Sequence, residues 1–167
     1  MEVYLFDTNI ASALFDKRNA EHSKALAFVQ KAANAGDVVY ISRIVEAEIE
    51  YGLALHTNLD TSRCQATRNA IKAFTMVKDI GKESVPHYAT IRASLFRTFA
   101  SQDAKGKIKK SNPEALVDKT TARELGIQEN DLWMVAIAVE YNMTLVSEDK
   151  MRRLKQVYPA LKFETWR

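Results

Sequence analysis

Apolar residues in this chain follow two alternating rhythms. Residues 3 to 6 (VYLF) form a short unbroken apolar run that stops at Asp7, the pattern of a strand buried on both faces. The chain then turns helical. Between residues 21 and 35, Ala25, Leu26, Phe28, Val29, Ala32 and Ala33 recur at helical spacing, and Gly36 follows where a helix stop is expected. Residues 38 to 42 (VVYIS) read as a second, β-branched strand. The pattern is helical again from Ile44 to about His56 and over roughly 61 to 75, before a weak strand at 76 to 80 (MVKDI). Ser84 is placed to cap a further helix running through YATIRASLFRTFA, with Pro86 in its first turn, where a missing N–H costs little. Asn130 and Asp131 open a helix, LWMVAIAVEY, that is apolar on nearly every side, as expected of one packed between a sheet and other helices. Residues 144 to 146 (TLV) are the next strand; Ser147, Glu148 and Asp149 lead into KMRRLKQVY, and LKFETW supplies a last strand.

Repeated strand, helix, strand order with buried apolar strands predicts an α/β fold: a central parallel sheet of about four to five strands with helices on both faces. No repeat or interdomain linker breaks the pattern, and 167 residues that are 47% hydrophobic suffice for one core, so residues 1 to 167 are expected to form a single domain. One segment departs from it. Residues 101 to 123 carry Lys105, Lys107, Lys109, Lys110, Lys119 and Arg123 against Asp103, Glu114 and Asp118, with few apolar positions. A mobile basic loop followed by a short helix is expected there. The formal charge of +3 permits a nucleic-acid partner without demanding one. A single cysteine, Cys64, excludes an intramolecular disulfide and fits a reducing compartment. The first residues have no basic flank before Asp7, and no apolar stretch reaches the roughly 18 residues of a membrane span, so a cytoplasmic, soluble protein is expected.

In an open parallel sheet the functional crevice lies beyond the carboxyl ends of the strands. Asp7 follows the first strand directly. Glu48 follows the second by one and a half turns and shares a largely apolar stripe with Ile44, Tyr51, Gly52 and Leu55, whereas Glu46 and Glu50 read as solvated charges on another face. That other face also carries Ile49 and Leu53, so periodicity alone does not choose between the glutamates. Asp131 stands in the first turn of the apolar helix, and Asp149 ends TLVSED. Taken singly, each has a role that needs no chemistry: Asp7 and Asp149 as helix caps, Asp131 as a complement to the helix dipole, Glu48 as a marginal charge reaching water.

Taken together, four acids at one sheet edge repel one another in a way folding does not require, and a divalent cation relieves the repulsion. Carboxylate oxygens suit Mg²⁺ or Mn²⁺, and Mg²⁺ commonly completes its shell with water and substrate phosphate. Other chemistries are poorly supplied. His22, His56 and His87 stand far apart without an H-E-x-x-H, a lone cysteine rules out Cys-rich zinc sites, and the five glycines form no G-x-G-x-x-G, P-loop or G-x-S-x-G. A phosphoacceptor domain or D-x-D phosphatase would need a second acid where this chain has D-T-N.

These residues resemble the PIN-domain ribonucleases and, within them, the VapC-type toxins of toxin–antitoxin pairs. VYLFDTN looks like the family's opening strand and first acid, YISRIVEAEIEYGL like its Ser-bearing strand and A-E-[IL]-x-x-G helix, GIQENDLWMVAIA like its N-D-[LI]-x-x-A-x-A helix, and TLVSED like its T-x-D ending. YATIRASL looks like the helix that precedes the third acid. The resemblance implies a PIN-like fold and a metal-dependent endoribonuclease in which Asp7, Glu48, Asp131 and Asp149 are the catalytic, metal-binding acids for one or two Mg²⁺ or Mn²⁺ ions. It selects Glu48 over its neighbours, while Glu148 stands as an alternative to Asp149. Thr8, Asn9, Asn130 and Ser147 match its small polar positions and would orient the carboxylates. Cleavage would leave a 5′-phosphate and a 3′-hydroxyl. An RNA substrate, a cognate antitoxin and a homodimer are the implied partners. The segment from about 98 to 125 is longer and more basic than compact members carry and reads as an extended basic insertion, whose Lys105, Lys107, Lys109 and Lys110 are candidate RNA contacts. The rival reading is a catalytically inactive PIN-like module that binds a protein or RNA partner.

Overall fold

The computed structural model describes residues 1–55, 60–108, 112–147 and 151–166. Five strands, β1 (Val3–Phe6), β2 (Val38–Ser42), β3 (Val77–Lys78), β4 (Thr144–Ser147) and β5 (Lys162–Thr165), form one sheet in the order β3-β2-β1-β4-β5. Every pairing is parallel, with Val3 opposite Val38, Tyr4 opposite Thr144, Ile41 opposite Val77 and Leu145 opposite Phe163. The chain builds outward from β1 to β3, then returns to the other side of β1 for β4 and β5. The direction reverses at β1, and there the connections leaving the carboxyl ends of neighbouring strands part and open a crevice.

Helices cover both faces. α1 (Thr8–Phe15) packs against α2 (His22–Asn34), α3 (Arg43–Leu55) and α4 (Thr61–Ala73), while α5 (Ser84–Phe99) packs against α6 (Glu129–Glu140) and α7 (Arg152–Val157). Right-handed crossovers in opposite directions along the sheet put these two groups on opposite faces. β1 is central and apolar: Leu5 and Phe6 are fully buried, and Phe6 and Tyr4 meet Phe28 of α2 edge to face, each with ring centroids 5.4 Å apart. α6 buries Leu132, Met134, Val135, Ala136, Ile137 and Ala138, which is why its sequence shows no polar face. α3 buries only Val45 and Ile49.

Three details differ from the sequence expectations. Ser84 does not cap α5. Glu83 occupies that position without a side-chain cap bond, and the buried Ser84 hydroxyl instead donates to a carboxylate oxygen of Glu140. A tertiary acceptor at the end of α6 has replaced the local one. The weak strand shrinks to two residues, Val77–Lys78, because only Ile41 and Ser42 offer it a partner. The basic segment is more ordered in its described part than its composition suggests. Gln102 bridges Ile108 and Val117 bridges Glu124, Asp103 and Asp118 accept turn N–H bonds from Lys105, Lys107, Thr120 and Thr121, and Leu116 and Leu125 are buried. A short helix does follow, Pro113–Ala115. Its Glu114 accepts the Glu129 N–H at 3.0 Å, which ties the segment to the positive end of α6. Lys109 and Lys110 lie outside the described residues.

Candidate active site

The crevice at the reversal point is a cleft of ≈ 590 Å³ lined by Asp7, Thr8, Asn9, Ile44, Ala47, Glu48, Tyr51, Gln128, Asn130 and Asp131. Four elements contribute. Asp7 leaves the end of β1, its N–H still bonded to the Val146 carbonyl at 3.0 Å, so the sheet fixes its Cα. It also caps α1: one carboxylate oxygen accepts the Thr8 N–H at 2.6 Å, and the other accepts the Ser147 hydroxyl from the end of β4. The capping role and the place in the cleft therefore coexist.

Asp131 is held by its own helix. As the third residue of α6 it reaches back to accept the Gln128 N–H at 2.7 Å, the reciprocal bond of a capping box. Asp7 and Asp131 are only 3% and 4% exposed, and burial of carboxylates to this degree demands compensation.

Glu48 is held differently, from across the cleft. Its Oε2 accepts the Thr8 hydroxyl of α1 and its Oε1 accepts the Asn130 Nδ2 of α6 at 2.8 Å. Its neighbours are paired with cations instead: Glu46 with Arg43 at 2.6 Å and Glu50 with Arg68 at 2.8 Å. The Ile44, Glu48, Tyr51, Leu55 stripe faces the cleft and solvent, with Tyr51 65% and Leu55 59% exposed, because the core takes the Val45 and Ile49 face. Periodicity had marked this stripe without deciding what it faced.

Asp7, Glu48, Asp131, Thr8, Asn9 and Asn130 thus line one cleft, and Ser147 reaches it through Asp7. Asn9 is exposed at its margin. Asp149 and its alternative Glu148 lie outside the described residues, as does His56. Sequence reasoning passed over two contributors. Gln128, three residues before Asp131, was legible from capping-box spacing; Tyr51, three after Glu48, was visible only as an apolar position. Beside Asn130, Glu129 accepts from Tyr88 and pairs with Arg92, and burial, then the Glu129 bond, push the Tyr88 hydroxyl pKa above its ordinary value.

The donor set is one of hard oxygens. Three carboxylates share the cleft wall, and none of the described lining residues is Lys or Arg, so these acids would repel an entering phosphate unless a cation came with it. The residues fit Mg²⁺ or Mn²⁺ in kind. Among the described residues, however, no three His, Cys, Asp or Glu side chains converge into a preformed cation site.

Fold and site together define a doubly wound α/β protein with an acidic crevice at the switch point of its sheet. The chain belongs to the PIN domain family, whose model matches residues 4–158. PIN domains are generally nucleases, which places the chain, at family level, among hydrolases acting on nucleic acid. Its fold is shared with VapBC2 from Rickettsia felis bound to a DNA fragment from their promoter (22% identity, 99% of this chain and 99% of that chain, TM-score 0.67). It is also shared with DNA-bound VapBC from Salmonella typhimurium (18% identity, 100% of both chains, TM-score 0.62) and VapBC-1 from nontypeable Haemophilus influenzae (20% identity, 98% of both chains, TM-score 0.59). No curated protein matches the sequence. No helix among the described residues is long and apolar enough to cross a membrane.

Proposed function

We propose that this chain is a metal-dependent endoribonuclease, the toxin of a VapBC-like pair, that hydrolyses RNA phosphodiester bonds at the Asp7, Glu48, Asp131 cleft. The observation that carries the reading is the meeting of three carboxylates from three separate segments at the sheet's switch point, in a cleft whose described lining lacks a basic side chain. Asp7 and Asp131 would hold Mg²⁺ or Mn²⁺, with Glu48 as a further ligand or water positioner and Asp149 as an outer ligand. When bound, the cation would supply a Lewis acid for a phosphoryl oxygen and lower the pKa of the attacking water.

The chain's own residues set the orientation. Ser147 and the Thr8 N–H fix the two oxygens of Asp7, the Gln128 N–H fixes one oxygen of Asp131, and Thr8 and Asn130 hold Glu48 between them. Such supporting bonds fix the orientation of the carboxylates before substrate arrives. A cation that keeps several waters tolerates carboxylates too far apart to converge directly.

The basic segment is assigned a backbone-binding role, since Glu114 fastens it to the amino end of the Asp131 helix. Neutralising Lys105 and Lys107 should flatten the salt dependence of RNA binding by about one unit of slope per lost phosphate contact, and an unchanged slope would remove this part. The proposal includes a cognate antitoxin, a homodimer and a cytoplasmic location, as the resemblance to VapC-type toxins implies.

The deciding experiment compares wild type with Asp7→Asn on total RNA, with and without Mn²⁺. Cleavage by wild type alone, and only with the ion, is the expected result; equal digestion by both proteins sinks the catalytic reading. The rival reading is an inactive PIN-like binding module. Such a module would show neither cleavage nor a Mn²⁺-dependent rise in Tm.

A further inference from the structure

Tyr51 is out of place for a residue whose only task is folding. Its ring is 65% exposed on α3, and among the described residues it makes no hydrogen bond or ring contact. α3 seats itself on another face, through Val45 and Ile49, so Tyr51 contributes little to holding the helix down. Yet it lines the acidic cleft with Ile44 and Ala47. It follows Glu48 by three positions, which on a helix surface makes the two immediate neighbours, about 5–6 Å apart at Cβ. The aromatic pair near Asp131 is differently disposed: Tyr88 and Trp133 stack on each other, centroids 3.8 Å apart and planes 8° apart.

The cleft therefore has two chemically distinct walls. The side formed by Asp7 and Asp131 presents carboxylates; the α3 side carries the Glu48 carboxylate flanked by the uncharged Ile44, Ala47 and Tyr51. A nucleotide has the same division, a charged phosphate joined to a flat base that gains by leaving water. Unpaired bases stack on exposed aromatic side chains, whereas bases inside an A-form duplex are already stacked and unavailable. We propose that Tyr51 is a nucleobase platform: an unpaired base beside the phosphodiester to be cut stacks on its ring. This rests on the cleft being an RNA-hydrolysing site.

The test has two arms. In the first, an unstructured RNA oligonucleotide is compared with a series carrying one abasic residue at successive positions. Wild type should lose at least about tenfold in kcat/KM when the abasic residue adjoins the cut, mostly through KM. Tyr51→Ala should show that loss already on the intact oligonucleotide and be indifferent to the abasic position, while Tyr51→Phe and Tyr51→Trp retain the wild-type profile. In the second arm, the Asp7→Asn protein binds the same RNA with a fluorescent adenine analogue at each position. Stacking should quench one position, and adding Tyr51→Ala should restore its emission.

An abasic profile unaltered by Tyr51→Ala overturns the proposal and leaves the Tyr51 and Leu55 stripe to a protein partner. If wild type cuts no RNA, the nuclease reading falls and the quenching arm alone decides the platform. Absence of a Tyr51-dependent quench then overturns it as well.

Discussion

The two helices that bring acids to the cleft from opposite sides are built on different terms. α6 is part of the core, with Asp131 among its buried residues and an apolar partner on nearly every side; α3 rests on Val45 and Ile49 and turns Glu48, Tyr51 and Leu55 outward. Asp131 accepts the Gln128 backbone N–H at the start of its own helix. Glu48 is positioned by side chains of two other elements, Thr8 and Asn130. A bond made at a helix's own start travels with that helix, whereas an acid held across a cleft shifts when either neighbour is altered. One wall is therefore set by packing and the other is adjustable.

The largest expected effect falls on the shared end of both walls. Asp7→Asn keeps a good N-cap for α1 but removes a charge, so RNA cleavage should fall by more than about a hundredfold while Tm changes little. A large loss of Tm would mean that the carboxylate is structural first. Next, truncation should separate the helices: Ile137→Ala in α6 should cost about 2–5 kcal/mol in denaturant unfolding. Tyr51→Ala in α3 should stay within about 0.5 kcal/mol. Comparable values would erase the contrast.

Removing one support of Glu48 should be milder than removing the acid. Thr8→Val and Asn130→Ala are each expected to lower activity by about tenfold, and each should be nearly silent when Glu48 is already Gln. Additive losses would show that they act elsewhere. Smaller still, Gly52→Ala should stabilise α3 by about 0.5–1 kcal/mol, because a Cβ there meets nothing within 4 Å and its φ is not positive. Differential unfolding measures it, and a destabilised variant would contradict the open groove beside Glu48.

The smallest effect concerns the bond that ties the end of α1 to α4. Arg63 of α4 holds both Asp16 oxygens from Nε at 3.1 and 3.0 Å, and this bond holds the Asp16 carboxyl below its ordinary value. A depressed carboxyl contributes stability that is complete above the unfolded value near 4 and fades as pH falls toward the lower folded value. A urea midpoint followed from neutral pH to below pH 4 should therefore fall less in Asp16→Asn than in wild type, and parallel curves would show that the pair contributes nothing.

How much of this was legible in one dimension depended on the range of the interactions. The strands at 3 to 6, 38 to 42 and 144 to 146 stand out because buried parallel strands must be apolar without interruption, and α6 declares itself by lacking a polar face. Parallel order, and the place of Asp7 and Asp131 at strand and helix ends, follow from local patterns of this kind. Ser84 was misassigned because a serine before a helix has a good local acceptor in principle, and only the packed neighbour Glu140 could outcompete it. The Ile44 to Leu55 stripe was seen but its surroundings were not. An apolar face on a helix says that something covers it, and the sheet chose the adjacent face instead.

By itself, then, the sequence determined the class of fold, the acids available and the spacing that sets Glu48 apart from Glu46 and Glu50 once the family pattern is applied. Only the tertiary structure decided that Thr8 and Asn130 hold Glu48 from two sides, that Ser147 reaches Asp7 from a strand 140 residues away, and that Tyr51 faces the cleft. Periodicity reports how a segment buries itself, but hydrogen bonds between elements depend on where the sheet reverses direction, and that is a property of the assembled chain.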